Sequence, residues 1–347
     1  MYMERRLAVL GAGSWGTALA VLSAEKGYEV ALWARDYRKA EELRWRRENR
    51  AYLPGIIIPY EVFITSDLAE AVQGAEVVVM CVPSHAVREV ARLLKPCWSS
   101  RALLVNTAKG LEVETLLRLS QVIAEELGEE ALSRFAVLSG PSHAEEVSRR
   151  FPTAVVASST QPAVAETVQE VFSTSFLRVY VNPDITGVEL GGALKNVIAL
   201  ASGMADGLGF GDNTRAALIT RGLAEITRLG VRMGANPLTF AGLTGLGDLV
   251  VTCTSPHSRN RQAGLLLGRG HTLEQALSQV GMVVEGVRTA RAACRLAERY
   301  GVEMPITREV YRVLFENQSP KEGVARLMAR SKTREVEEIA PFYPRVV

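Results

Sequence analysis

The stretch Gly191-Gly192-Ala193-Leu194-Lys195-Asn196 sets a lysine and an amide inside an otherwise apolar run with helical periodicity. Residues three and four positions away are Gly191, Gly192, Ile198 and Ala199, so no carboxylate reaches the ammonium along the helix. Glycine inside a helix costs about 1 kcal/mol relative to alanine, which implies that something approaches this one closely. A lysine so placed can give a proton to a reacting oxygen or take one from it. The alternative is a lysine whose stem is buried while its head snorkels to water. Burial without an ion-pair partner would favour the neutral amine, and a bound phosphate or Asp248 would oppose that.

Further on, Gly245-Leu246-Gly247-Asp248-Leu249 leads through Thr252 to Ser255-Pro256-His257-Ser258-Arg259-Asn260-Arg261 and an apolar helix ending near Gly268. Ser258 reads as the N-cap of that helix. Arg259 and Arg261 then stand in a first turn where the helix dipole disfavours cations, a conflict that a bound phosphate would resolve. A later helix start, with both arginines in a plain loop, is the competing reading. Three polar motifs follow strand-like runs: Pro83-Ser84-His85, Lys109-Gly110 and Gly140-Pro141-Ser142-His143. Lys109 suits a carbonyl or phosphate oxygen, and a solvated loop lysine fits the same pattern. His85 and His143 have no assignable acidic partner. Ser142 reads as an N-cap with Glu145 and Glu146 in the first turn behind it, so a histidine relay is set aside. Cys253 has no assignable base and is not read as a nucleophile.

Elements must position these groups. Leu7-Ala8-Val9-Leu10, then Gly11-Ala12-Gly13-Ser14-Trp15-Gly16, then Thr17-Ala18-Leu19-Ala20 is a strand, a glycine turn and the start of an apolar helix. Such a turn lets backbone approach a dinucleotide pyrophosphate while the helix N-terminus faces it. After the second strand stand Ala34, Arg35 and Asp36. An acid there favours the free ribose hydroxyl of NAD and a guanidinium the 2′-phosphate of NADP. Arg35 comes first and tips the reading toward NADPH, with NADH use left open. An Arg35–Asp36 surface pair is the bland alternative.

Strands are expected near Leu7–Leu10, Glu29–Trp33, Val77–Val82, Ala102–Asn106, Phe135–Ser139, Thr153–Ala157 and Leu177–Val181, with helices in most gaps. That is the pattern of an α/β, doubly wound parallel sheet covered on both faces. Past Pro183 helical patterns take over, and Leu190, Leu194, Val197, Ala201, Met204 and Leu208 form one stripe. Two domains are expected, a Rossmann-type dinucleotide-binding domain over 1–183 and a mainly α-helical substrate domain over 184–347. Forty basic against 38 acidic residues leave a net charge of +2, too little to coat a nucleic acid. The four cysteines have no paired spacing, so neither a disulfide framework nor a metal site is expected. Met1 to Arg6 is short and polar, and no apolar stretch is read as approaching a membrane span, so a cytoplasmic protein is expected.

Taken in order, GAGSWGTALA, NTAKGLE, GPSHAEEV, GGALKNVIA, GLGDLVVTCTSPHSRNR and VVEG resemble the bacterial NAD(P)-dependent glycerol-3-phosphate dehydrogenase family over nearly the whole chain. The resemblance implies reduction of dihydroxyacetone phosphate to sn-glycerol 3-phosphate, supplying the phospholipid backbone, by a homodimer. It assigns Ser14, Trp15, Arg35, Ala144, Val283 and Glu285 to the cofactor, beside the turn glycines Gly11, Gly13 and Gly16. Lys109, Gly140, Ser142, Asn196, Asp248, Ser258, Arg259 and Asn260 go to the substrate, with Lys109 and Arg259 reaching both ligands. Lys195 takes the family's proton-transfer position, with Lys109 and Asp248 beside it in the catalytic set. The rival readings are a dehydrogenase of the 3-hydroxyacid or ketopantoate type on the same plan, and a nucleotide sensor without catalysis.

Overall fold

The computed structural model describes residues 5–332 and 334, so the ends of the chain, including Met1 to Glu4 of the short polar stretch, lie outside the described residues. Among the described residues ten strands form: β1 (Arg6–Leu10), β2 (Glu29–Trp33), β3 (Glu48–Asn49), β4 (Leu53–Ile57), β5 (Phe63–Thr65), β6 (Val77–Met80), β7 (Leu103–Asn106), β8 (Phe135–Ser139), β9 (Thr153–Ser158) and β10 (Leu177–Asn182). Eight of them make one sheet in the order β10-β9-β8-β7-β6-β1-β2-β5, while β3 and β4 pair separately. Leu7 pairs with Val30 on one side and with Val77 on the other, which makes β1 an interior strand of the sheet. Near-continuous apolar strands such as β6 and β7 are buried on both faces, as a helix-covered parallel sheet requires.

All seven expected strands are present. The sheet is not wholly parallel, however, because β8 and β9 run antiparallel. Strands β3, β4 and β5 escaped the sequence reading. Two are only two and three residues long, and β4 contains Pro54 and Gly55, which read locally as a turn.

The chain divides into two compact units, 1–109 with 117–189 and 110–116 with 190–347, whereas the sequence reading placed a single division at 183/184. The second unit is helical. The long helix Ile185–Gly207, which belongs to that unit from Leu190 on, does not bury one stripe as expected; every residue from Gly187 to Ala205 is buried. A helix apolar all round belongs in a core. The helix Arg259–Gly268 lies against it at backbone contact: a side chain on Gly203 or Gly207 would strike the carbonyls of Arg261 and Leu265, and one on Gly264 or Gly268 those of Leu200 and Met204.

One stretch, Pro237–Thr254, does have the length and composition of a membrane crossing, 18 residues at a mean hydropathy of 1.2, contrary to the sequence expectation. It is broken into the helix Pro237–Phe240, a π-helical turn Leu243–Gly247 and the helix Asp248–Thr254. Phe240, Leu249 and Cys253 lie in the apolar core of the second unit, which accounts for its apolarity.

Candidate active site

In the first unit, β1 runs into the glycine turn and the helix Ser14–Glu25. Gly11 has φ +119°, and a side chain there would meet the Cys81 carbonyl at 2.7 Å. Gly16 abuts the Gly11 carbonyl so closely that no side chain fits. A side chain on Gly13, by contrast, would meet nothing within 4 Å, so open space lies beside the turn. Gly13 is also the N-cap, with no side chain bonding to the helix's first N–H groups and no acid in the first turn. This start fits a pyrophosphate. Ser14 Oγ donates to the Tyr52 carbonyl at 2.6 Å, and Trp15 packs with Ala18, Leu53, Ile56 and Ala144. Thus Trp15 and Ala144, far apart in sequence, share one apolar cluster.

Arg35 pairs with Glu89 at 3.0 Å, both exposed, and not with Asp36. Asp36 is instead the N-cap of the helix Tyr37–Arg46, accepting from the Lys39 N–H. Lys109 donates to the Gly140 carbonyl at 2.8 Å and lies 3.5 Å from Ser142 Oγ, so these three residues form one group. Ser142 is not the expected N-cap. That place falls to His143, while the Ser142 hydroxyl donates to the Gly140 carbonyl at 3.0 Å.

In the second unit Lys195 is 5% exposed and Asp248 1%, so the lysine cannot snorkel. The Lys195 ammonium is hydrogen-bonded to Asp248 Oδ1 and, at 2.7 Å, to Thr252 Oγ1. Charge on a lysine buried to this degree persists only with such partners. No carboxylate of the lysine's own helix pairs with it, as expected; Asp248, read in the sequence as opposing the loss of its charge, reaches it from another helix. The close approach implied by the glycine pair is identified too, since a side chain on Gly191 would lie 2.6 Å from the Thr244 carbonyl. That contact seats the π-helical turn whose next residue is Asp248. Thr252 follows Asp248 by four residues, a same-face spacing that was readable in the sequence.

Next to Lys195, Asn196 Oδ1 accepts from Asn260 Nδ2 at 3.0 Å, and Asn260 Oδ1 accepts from the Gly286 N–H at 2.8 Å. This chain of amides joins the lysine helix to the starts of Arg259–Gly268 and Glu285–Tyr300. Ser258 is the N-cap, its hydroxyl accepting from the Arg261 N–H at 3.2 Å. Arg259 is held by the Val283 carbonyl at 3.3 Å, and Glu285 opens the following helix. The charge conflict read at this turn is settled for Arg261 without a phosphate, because Asp206 pairs with it at 2.7 Å and also with Arg215. Burial pushes the Cys253 thiol up to about 12, which agrees with setting it aside as a nucleophile. Lys39, Asn49 and Asp206 were missed by sequence reading; Asn49 Nδ2 bonds the Ala12 carbonyl and Thr17 Oγ1 inside the fold, a contact with no local sequence signal.

Models described as NAD-dependent glycerol-3-phosphate dehydrogenase N-terminus and C-terminus match residues 6–165 and 184–325. A glycerol-3-phosphate dehydrogenase (NAD(P)+) from Pelotomaculum thermopropionicum is 60% identical over 97% of this chain and 97% of its own. One from Moorella thermoacetica is 61% identical over 96% of this chain and 99% of its own. The crystal structure of glycerol-3-phosphate dehydrogenase from Coxiella burnetii superposes with a TM-score of 0.90 at 40% identity, covering 94% of this chain and 99% of that one. With its glycine turn, its buried lysine and these likenesses along nearly its full length, the chain belongs to the NAD-dependent glycerol-3-phosphate dehydrogenase family.

Proposed function

We propose that this protein reduces dihydroxyacetone phosphate to sn-glycerol 3-phosphate, reversibly, with NADPH or NADH. The observation that carries the reading is the buried Lys195–Asp248–Thr252 cluster, tied through Asn196 and Asn260 to the turn bearing Arg259. A bound nicotinamide supplies the hydride. As it reaches the carbonyl carbon, the C=O π pair moves onto oxygen, and Lys195 both stabilises that charge and gives its proton, leaving an alcohol. Asp248 and Thr252 keep the ammonium protonated and aimed; in the oxidative direction the neutral lysine takes the proton back.

Ser258, Arg259 and the backbone N–H groups opening the helix Arg259–Gly268 are assigned to the substrate phosphate, and Asn196 and Asn260 to its oxygens. Lys109, Gly140 and Ser142 are assigned to substrate oxygens, with Lys109 and Arg259 also touching the cofactor. Gly11, Gly13, Ser14, Trp15, Gly16, Arg35, Ala144, Val283 and Glu285 are assigned to the cofactor. Following the family resemblance, the enzyme acts in the cytoplasm as a homodimer and feeds glycerophospholipid synthesis; sedimentation equilibrium measures the oligomer directly.

The test is turnover of dihydroxyacetone phosphate against unphosphorylated dihydroxyacetone and ketopantoate, with each reduced nicotinamide cofactor. The reading expects the phosphorylated ketone to be preferred by orders of magnitude. Equal rates with and without phosphate, or preference for ketopantoate, refute it. Cofactor binding without turnover of any ketone would make the chain a nucleotide sensor.

A further inference from the structure

In a sheet of this kind the adenosine ribose lies near the end of the second strand, and a 2′-phosphate there calls for a cation. The arginine at that place, Arg35, is exposed and shares its charge with Glu89. A second cation stands closer to the glycine turn. Lys39, in the first turn of Tyr37–Arg46, donates from Nζ to the carbonyl of Ala12, between the first two glycines, at 2.7 Å. Its ammonium also lies 3.7 Å from the centre of the Tyr52 ring. Tyr52 is in turn fixed by Ser14, whose hydroxyl bonds its carbonyl. The ammonium is thus clamped between a backbone oxygen and an aromatic face, both belonging to the segments that frame the dinucleotide turn.

Among the described residues no carboxylate forms an ion pair with it. Asp36 and Glu42 act on it only at longer range, and Asp36 already accepts the Lys39 N–H as helix cap. Loss of water by burial outweighs both acids and pushes the Lys39 ammonium down to about 8. A cation so poorly compensated gains more from a dianion than a solvated one does.

We propose that Lys39 is a specificity-determining contact for the 2′-phosphate of NADPH, with Tyr52 and the Ala12 carbonyl holding its ammonium in place. The inference rests on the dinucleotide reading above and names the residue that distinguishes the two cofactors.

Equilibrium titration of NADPH and NADH, followed by calorimetry, tests it on the parent, Lys39→Met, Lys39→Arg and Arg35→Ala, with circular dichroism as the check on folding. Lys39→Met is expected to weaken NADPH at least tenfold and NADH less than twofold, and Lys39→Arg to recover most of the NADPH affinity. Equal weakening of both cofactors would mean that Lys39 only pins the glycine turn, and the proposal falls. It falls equally if Lys39→Met leaves NADPH affinity intact while Arg35→Ala abolishes the preference. Failure of the parent to bind either cofactor would overturn the dinucleotide reading itself, an outcome distinct from a lost preference.

Discussion

At the scale of single residues, the chemistry rests on what a buried cation needs. Lys195 stood out in the sequence because it interrupts an apolar helix, but its direct contact with Asp248, 53 residues away, is made by the fold. Local spacing carries information over one helical turn, which is why Thr252 was within reach of sequence reasoning from Asp248 and Asp248 was not tied to Lys195 by periodicity. The arginines of the Ser258 turn show the same limit. Their placement at a helix start was legible, whereas the structure commits Arg261 to Asp206 and leaves Arg259 on a backbone carbonyl. Arg259 is therefore the cation assigned to the substrate phosphate. Arg259→Ala is expected to raise KM for dihydroxyacetone phosphate about tenfold to a hundredfold, the worth of one or two charge-assisted hydrogen bonds. Inorganic phosphate should compete with substrate in the parent and much less in the variant; steady-state kinetics with unaltered KM would move the phosphate elsewhere.

At the scale of elements, two contacts position the substrate half. The first is the glycine seam between Ile185–Gly207 and Arg259–Gly268, which lets the two backbones touch and so fixes the Arg259 turn relative to Lys195. The glycines at 203, 207, 264 and 268 repeat at a spacing of four in the sequence, but what they face is a property of the packing alone. Gly264→Leu must push the helices apart, because the atom it strikes is the Leu200 backbone carbonyl. It is expected to cost about 3 kcal/mol or more in urea denaturation, at the upper end for overpacking. Stability unchanged within error would show that the seam yields easily.

The second contact is Glu225, whose side-chain oxygens accept from the Ile306 and Thr307 N–H groups and from the Thr307 hydroxyl, satisfying the start of the helix Pro305–Phe315. Burial raises this carboxyl from 4.5 to about 7, against the pull of those three donors. A carboxyl raised in the folded state keeps its proton while the unfolded chain loses it. Its contribution is thus fully present below pH 4.5 and is lost as pH rises through about 7. That interval corresponds to roughly 3 kcal/mol at 1.36 kcal/mol per unit. Glu225→Gln, which cannot ionise, should show a flatter fall in stability between pH 5 and pH 8 than the parent does. Parallel pH profiles for the two proteins would contradict the assignment.

At the scale of the whole molecule, the sequence was most informative where the repeating pattern is longest. The glycine turn after β1 and the apolar runs of β2, β6, β7, β8, β9 and β10 each span enough residues to declare themselves, and all are present. The antiparallel β8–β9 pair, the short strands β3 and β5, and the passage of 110–116 into the second unit depend on long-range pairing that no window of sequence contains. The site divides in the same way: Lys109, Gly140 and Ser142 form one group in the first unit, and Lys195, Asn196, Asp248 and Asn260 belong to another in the second. Residue types were legible in both sets; the hydrogen bonds that hold them were not. The most direct test of the account is the turnover of Lys195→Ala with dihydroxyacetone phosphate, set beside the variant's affinity for NADPH and NADH. With Lys195 as the proton donor, kcat is expected to fall by at least a thousandfold while both affinities stay within twofold of the parent. A Lys195→Ala enzyme that turns over at a near-normal rate would contradict it and pass the proton-transfer role to Lys109.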